Sequence, residues 1–452
     1  MTRSNILRSL DDISHDLESG SISCQELVDS CLKKIADASG EGERAFVFTD
    51  VEGAKAQAVA MDQLRANNAA PSRFAGIPIS IKDLFDVQGQ RTGAGSVVLN
   101  DREVSVHDSN AVARLRAAGF VLIGRTNMTE FAYSGLGMNP HYGTPLNPYD
   151  RQVGRIPGGS SSGGAVSVTD GMAAAGLGTD TGGSCRIPAA FCGITGFKPT
   201  ASRVPMGGVV PLSQSLDSIG SLAPTAKCCA VIDSVLSGQK LILMPDVFPL
   251  TGLRIGALNN YVLDGMDSIV AETYAAALGK LRAAGAHIID INLAPLNDLP
   301  MVNSKGGFAA AEAYAVHRVR LEKEGSAYDP RVSVRIRKGA EQSAADYLDL
   351  LASRKKIIRQ VNRTTSSFDL VVFPTVPIIA PKLAELKDED EYGRLNLLCL
   401  RNSTVTNFLN RCAVSLPIHR SGDAPVGLTL MGETCSDRRL LSIAVSIESI
   451  FL

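Results

Sequence analysis

Apolar residues Ile6, Leu10, Ile13 and Leu17 recur at helical spacing, and Gly20 follows in a position suited to a left-handed cap. This predicts an amphipathic opening helix. Ser23 and Glu26 then have capping-box spacing ahead of Leu27, Val28, Cys31, Leu32 and Ile35, which predicts a second. Beyond them, β-like runs alternate with helical ones. "AFVFTD" precedes the alanine-rich 52–66, "GIPISIKD" follows, and "SNAVARLRAAG" leads into "FVLIGRTN". The rhythm returns in "LRIGAL", a helix over 268–284, "HIIDINL", a helix near 343–362, "DLVVFP", a helix over 395–411, "CAVSLPI", "VGLTLMG" and a last helix from 437. Such alternation predicts an α/β fold in which one large β-sheet is sandwiched between helices. No internal repeat and no long Gly/Ser linker divides the chain, so one domain is expected over 1–452, with an N-terminal helical segment to about residue 65.

Composition narrows the function classes. Apolar residues make up 45% and charged residues 20%, the globular range. The formal net charge is −1, so no global field would gather nucleic acid, and none is expected as a partner. The acidic run "ELKDEDEYG" near residue 385 is expected to be a solvated loop. No apolar stretch of roughly 18 residues is present, and the first twenty residues lack a signal-peptide core, so no membrane partner is expected. Nine scattered cysteines without C-x-x-C spacing are expected to be reduced, mostly buried thiols of a cytoplasmic protein. The six histidines lack H-x-x-x-H pairing, so no metal site is expected.

The least regular region, 126–225, holds much of the glycine, serine and proline, including "RIPGGSSSGGAVSV" at 155–168. As a linker this run would border polar low-complexity sequence, yet it leads into the apolar "AVSVTDGMAAAGLGTDTGGS". A phosphate loop would need a lysine soon afterwards, and none occurs before Lys198. "GSSSG" matches a nucleophile elbow around Ser161, but the polar, proline-bearing segment before it is no buried strand. A fourth reading takes the run together with "GTDTGGSCRIPAAFCGITGFKP" at 178–199. There the amides of Thr181, Gly182, Gly183 and Ser184 can share one concavity, as an oxyanion hole beside a serine nucleophile requires. Ser184 has no histidine within forty residues, whereas Lys82 ends the alternating strand "GIPISIKD". An unperturbed lysine, with a pKa of about 10.4, is protonated at neutral pH, so a base role would need burial.

Taken in order, "GIPISIKDLFDVQGQRTGAGS", "DSNAVARLRAAGFVLIGRTNMTEFAYSG", "GGSSSGG", "GLGTDTGGSCRIPAAFCGITGFKPT" and "PVGLTLMGE" closely resemble the amidase signature family of serine hydrolases. The resemblance spans nearly the whole chain, with a signature core of about 75–225. It implies a single mixed β-sheet covered by helices on both faces and a Ser, cis-Ser, Lys triad. By motif the nucleophile is Ser184, the bridging serine Ser160 and the base Lys82, with Ser161 and Ser162 as supporting hydroxyls. The oxyanion hole falls on the backbone of Thr181, Gly182, Gly183 and Ser184.

The family further implies hydrolysis of a small carboxamide to carboxylate and ammonia through an acyl-enzyme, without a cofactor. A homodimer is expected by analogy with family members. An A-type glutaminase component of a tRNA-dependent amidotransferase is the main alternative, and a catalytically dead binding protein on the same fold a remote one. Segment 126–147 is expected to line the pocket, with Met128, Tyr133 and Tyr142 as walls. Asp180 and Arg186 bracket the nucleophile, as a structural ion pair or with Arg186 as an anion-binding substrate contact. Cys185 and Cys192 are expected to serve packing.

Overall fold

The computed structural model describes residues 7–239 and 247–451. Ser9 caps the first helix, Leu10–Ser19, through a capping box with Asp12, and Gly20 closes it at φ 73°. Leu10, Ile13 and Leu17 face the core as their spacing predicts, while Ile6 lies outside the described residues. Ser23 and Glu26 form the expected capping box of the helix Cys24–Ile35.

The strands are β1 Phe46–Thr49, β2 Pro78–Lys82, β3 Val121–Thr126, β4 Ala175–Thr179, β5 Thr195–Lys198, β6 Ile219–Ala223, β7 Arg254–Leu258, β8 His287–Ile291, β9 Leu370–Pro374, β10 Ala413–Pro417 and β11 Gly427–Met431. Among the described residues they form one 11-stranded sheet in the order β1-β3-β2-β4-β6-β5-β10-β11-β9-β7-β8. The sheet is mixed. β3, β2 and β4 run parallel, as do β9, β7 and β8, and antiparallel pairs join these two blocks. Every residue of β2 to β6 is buried, as are those of β9, β10 and β11, because helices cover both faces. The edge strand β8 is largely exposed.

The small-residue region 126–225 builds the middle of this sheet. It supplies β4, β5 and β6 together with the helices Ser162–Thr169 and Arg186–Cys192, all fully or almost fully buried. Small side chains there permit close packing of helix on strand.

The sequence pattern leaves three longer helices unassigned: Ala226–Leu236, Gly307–Glu324 and Pro330–Arg337. Gly307–Glu324 buries alanines and His317 beside Phe308 and Leu321, so its inner face is weakly hydrophobic by sequence. The acidic run near 385 is not a loop. Asp388 caps the helix Glu389–Phe408, and Glu389, Asp390 and Glu391 occupy its first turn, where the helix dipole favours negative charge.

Candidate active site

Along β2, Ile77, Ile79 and Ile81 occupy one side of the strand run and Ser80 and Lys82 the other, as a period of two requires. Ser80 Oγ lies 2.9 Å from Ser167 Oγ on the helix Ser162–Thr169. Lys82 is fully buried on the same face, with Nζ 2.7 Å from Ser160 Oγ and 2.9 Å from Thr179 Oγ1. Thr179 ends β4, the parallel neighbour of β2, so the lysine stands at the carboxyl ends of adjacent parallel strands. That is the usual ligand-binding edge of an open α/β sheet.

Backbone bonds hold Ser160 in place. The Gly159–Ser160 peptide is cis, the Gly159 N–H donates to Gly135 O at 2.8 Å, and the Thr129 N–H donates to Ser160 O at 3.1 Å. A Cβ on Gly159 would lie 2.6 Å from Gly137 N, so only glycine fits between these stretches of loop. The other two serines of the run turn elsewhere: Ser162 Oγ donates to Asn127 O at 3.4 Å and Ser161 Oγ makes a long contact of 3.5 Å with Thr179 O. The Ser161 N–H donates to Ser184 O at 3.2 Å and ties the two loops together.

Ser184 lies in a loop organised by Asp180. The Gly183 and Cys185 N–H groups donate to its Oδ1 and Oδ2 at 2.9 and 3.1 Å. Arg186 grips the same carboxylate with Nε at 3.1 Å and Nη2 at 2.9 Å, and Asn407 Nδ2 donates to its Oδ1 at 2.9 Å. Gly183 has φ 128° and its added Cβ would lie 2.5 Å from Ser403 Cβ, so no side chain fits there. Gly183 N–H is committed to Asp180, whereas the Thr181, Gly182 and Ser184 N–H groups have no acceptor among the described residues.

Burial pushes the Lys82 amine down to about 8, opposed by Cys185, Asp180 and Asp217, which favour the ammonium. Asp217 is itself buried and raised to about 6 by that burial; its Oδ1 accepts from Thr181 Oγ1 at 2.5 Å and its Oδ2 from the Leu212 and Ser213 N–H groups. Against the upward push of burial, Arg186 holds Asp180 well below the usual carboxylate range. A second buried lysine, Lys198, is also lowered to about 8 by burial, but its Nζ donates to Pro199 O at 2.7 Å.

The family model described as Amidase matches residues 26–441. The chain belongs to the amidase family. It is 34% identical over 428 residues to 2-amino-5-chloromuconic acid deaminase of Comamonas testosteroni, covering 94% of this chain and 92% of that one. It is also 34% identical over 478 residues to the A subunit of the glutamyl-tRNA(Gln) amidotransferase of Roseiflexus sp. (strain RS-1), covering 98% and 96%. A crystal structure of an amidase superposes with a TM-score of 0.88 at 28% identity, covering 98% of this chain and all of that one. The protein is thus an amidase-family hydrolase of C–N bonds with the amidase signature fold.

The four expected substrate contacts of this amidase-family chain separate. Arg186 is fully buried, paired with Asp180, and its Nη2 donates to Asn407 Oδ1 at 2.7 Å. Met128 exposes no surface and packs in the main core. Tyr142 lines a cleft of about 580 Å³ beside β1, with Ile35, Arg44 and Phe46, which contains none of Lys82, Ser160 and Ser184. Tyr133 is half-buried in the segment that leads to Gly135, whose carbonyl accepts from the Gly159 N–H beside Ser160. Burial pushes the thiols of Cys185 and Cys192 up, as packing residues should be.

Sequence reasoning missed Thr179, Asp217 and Asn407. Thr179 could have been found from strand alternation, since it ends a run parallel to Lys82. Asp217 and Asn407 carry no local signal and reach the site only through tertiary packing. Among the described residues, no cluster of three or more His, Cys, Asp or Glu could hold a metal, and no helix is long and apolar enough to cross a membrane.

Proposed function

We propose that the protein hydrolyses a small carboxamide to carboxylate and ammonia through an acyl-enzyme on Ser184, with Ser160 and Lys82 as the proton relay. The observation that carries this reading is the 2.7 Å approach of a wholly buried lysine amine to Ser160 Oγ, beside the loop that bears Ser184. A serine hydroxyl is a weak nucleophile until a base takes its proton, and an amine lowered to about 8 is available as that base near neutrality. Neutral Lys82 accepts from Ser160, and Ser160 accepts from Ser184 as Ser184 attacks the carbonyl carbon. The developing oxyanion is met by the free amides of Thr181, Gly182 and Ser184, each worth about 2.7–4 kcal/mol in comparable sites. Protonated Lys82 then returns its proton through Ser160 to the departing amine, and water cleaves the ester by the reverse path.

The deaminase and amidotransferase relatives offer two substrate classes. A stand-alone amidase is the reading preferred here, and a glutaminase component of an amidotransferase is the second, favoured by the near full-length match to the amidotransferase relatives. A cytoplasmic location is supported by nine free cysteines, eight of them buried. The deciding experiment is ammonia release by purified protein over a panel of small amides including glutamine, with Ser184→Ala as control. Release that survives Ser184→Ala removes the mechanism; release from glutamine alone, and only with added partner proteins, supports the glutaminase reading.

A further inference from the structure

Glu312, on the helix Gly307–Glu324, is half-buried, and its carboxylate takes donors from one loop and one neighbouring helix. Oε2 accepts from Ser213 Oγ at 2.6 Å and from the Ser215 N–H at 3.0 Å. Oε1 accepts from Ser215 Oγ at 2.5 Å and from the Tyr347 hydroxyl, on the helix Ala344–Thr365, at 2.7 Å. Hydrogen bonds to an ionised acceptor are stronger than neutral ones, so one carboxylate that grips both ends of the turn 213–215 fixes it firmly. Arg354, also on Ala344–Thr365, holds the same turn by its carbonyl: Nη1 donates to Ser215 O at 3.0 Å and Nη2 to Asn407 O at 3.1 Å.

The turn belongs to a loop, 212–218, that is bonded to the loop bearing Ser184. The Asp180 N–H donates to Ser218 O at 2.8 Å, and the Ser218 N–H donates to Asp180 O at 3.2 Å. Inside the loop, Ser213 O accepts from the Asp217 N–H at 2.8 Å, and Asp217 Oδ2 accepts from the Ser213 N–H at 3.1 Å. Ser213 is thus joined to Glu312 by its hydroxyl and to Asp217 by both of its backbone groups. Asp217 Oδ1 in turn accepts from Thr181 Oγ1 at 2.5 Å. Three hydrogen-bonded steps therefore lead from Glu312 to Thr181, whose N–H has no acceptor among the described residues and faces the developing oxyanion in the proposed reaction. Glu312 lies more than 120 positions from Thr181 in the chain, so only packing of the helix on the loop makes this connection.

Resting on the amidohydrolase reading above, we infer that Glu312 is a positioning residue for the reaction: it holds the loop 212–218 so that Asp217 keeps the Thr181 amide aimed at the oxyanion. The competing role for Glu312 is an anchor between helix and loop that serves stability alone.

Steady-state ammonia release from the best amide of the panel separates the two. Glu312→Ala should lower kcat and kcat/KM together, roughly 10- to 100-fold, with KM near wild type, because a misplaced oxyanion donor is felt only in the transition state. Glu312→Gln should stay within about threefold of wild type, since its amide oxygen can take Ser213 Oγ and the Ser215 N–H while its amide nitrogen donates to the Ser215 and Tyr347 hydroxyls. Glu322→Ala, at an exposed position of the same helix, should leave kcat unchanged. In a double-mutant cycle with Thr181→Val, which deletes the hydroxyl bound by Asp217, Glu312→Ala should cost less than about threefold more. Wild-type kcat in Glu312→Ala, or losses that multiply in the double variant, overturns the positioning role. Amide hydrogen exchange reads the same coupling without turnover. Glu312→Ala should speed exchange across both 212–218 and 180–185, and faster exchange confined to 212–218 overturns the proposal. The expected exchange pattern in a protein that releases ammonia from no amide supports the hold on Thr181 and sinks the amidohydrolase reading instead.

Discussion

Lys82 Nζ and Ser160 Oγ, drawn from residues 78 positions apart, meet at 2.7 Å in a site with no exposed surface at either residue. The contact selects one hydroxyl from a run of three. Ser160→Ala should therefore lower kcat by about 10²- to 10⁴-fold, the range for losing a positioned proton-transfer group. Ser161→Ala and Ser162→Ala should retain activity within roughly tenfold, since their hydroxyls rest on backbone carbonyls at long distance. Steady-state ammonia release checks this, and a critical Ser161 would show the register of the relay to be wrong.

The lysine also sets a pH dependence. The base form of Lys82 is the neutral amine, so kcat/KM should rise as pH increases through about 8 and level off above it. The charged or titratable groups acting on it are Cys185, Asp180 and Asp217, and all three favour the ammonium. Asp217→Asn removes one of these charges and should move the rising limb to lower pH. A limb that stays in place would mean that Asp217 acts only through its hydrogen bond to Thr181.

Asp180 and Arg186 are both fully buried, and Asn407 completes the cluster from the helix Glu389–Phe408. Removing one partner of such a pair leaves an uncompensated charge, which costs about 3–5 kcal/mol. Arg186→Met should lose stability of that order in urea titration, whereas Arg331→Met, whose partner Glu389 is exposed, should lose little.

Gly183 combines a positive φ with a neighbour 2.5 Å from any added Cβ. Gly183→Ala should displace the oxyanion loop and lower kcat at least about tenfold, from strain on the order of 1–3 kcal/mol. Ser403→Gly in the same chain removes the nearest clash but leaves Ile187 Cδ1 2.6 Å from the added Cβ and the backbone penalty, so it should restore activity only in part.

Of the nine cysteines, Cys435 alone is exposed. A thiol-reactive chromogen should titrate one group in the native protein and nine after denaturation. Faster reaction of Cys185 would contradict the burial that pushes its thiol upward.

Local pattern determined much of this protein. Period-two alternation set Lys82 on the opposite side of its strand from Ile81, capping chemistry set the ends of the first two helices, and ordered motifs pointed to the fold and to Ser160 and Ser184. These features depend on neighbours in the chain, so a single sequence carries them. The acidic run at 388–391 was misread because its charge signals a solvated face equally in a loop and in a helix start. The surroundings of Gly183, Arg186 and Tyr142 emerge only in three dimensions: the Gly183 N–H donates to Asp180, Arg186 donates to Asn407 from more than 200 residues away, and Tyr142 lines a cleft beside β1. Which donor is free and which charge is paired depends on partners brought together by the sheet order, and no local pattern in the chain encodes those meetings.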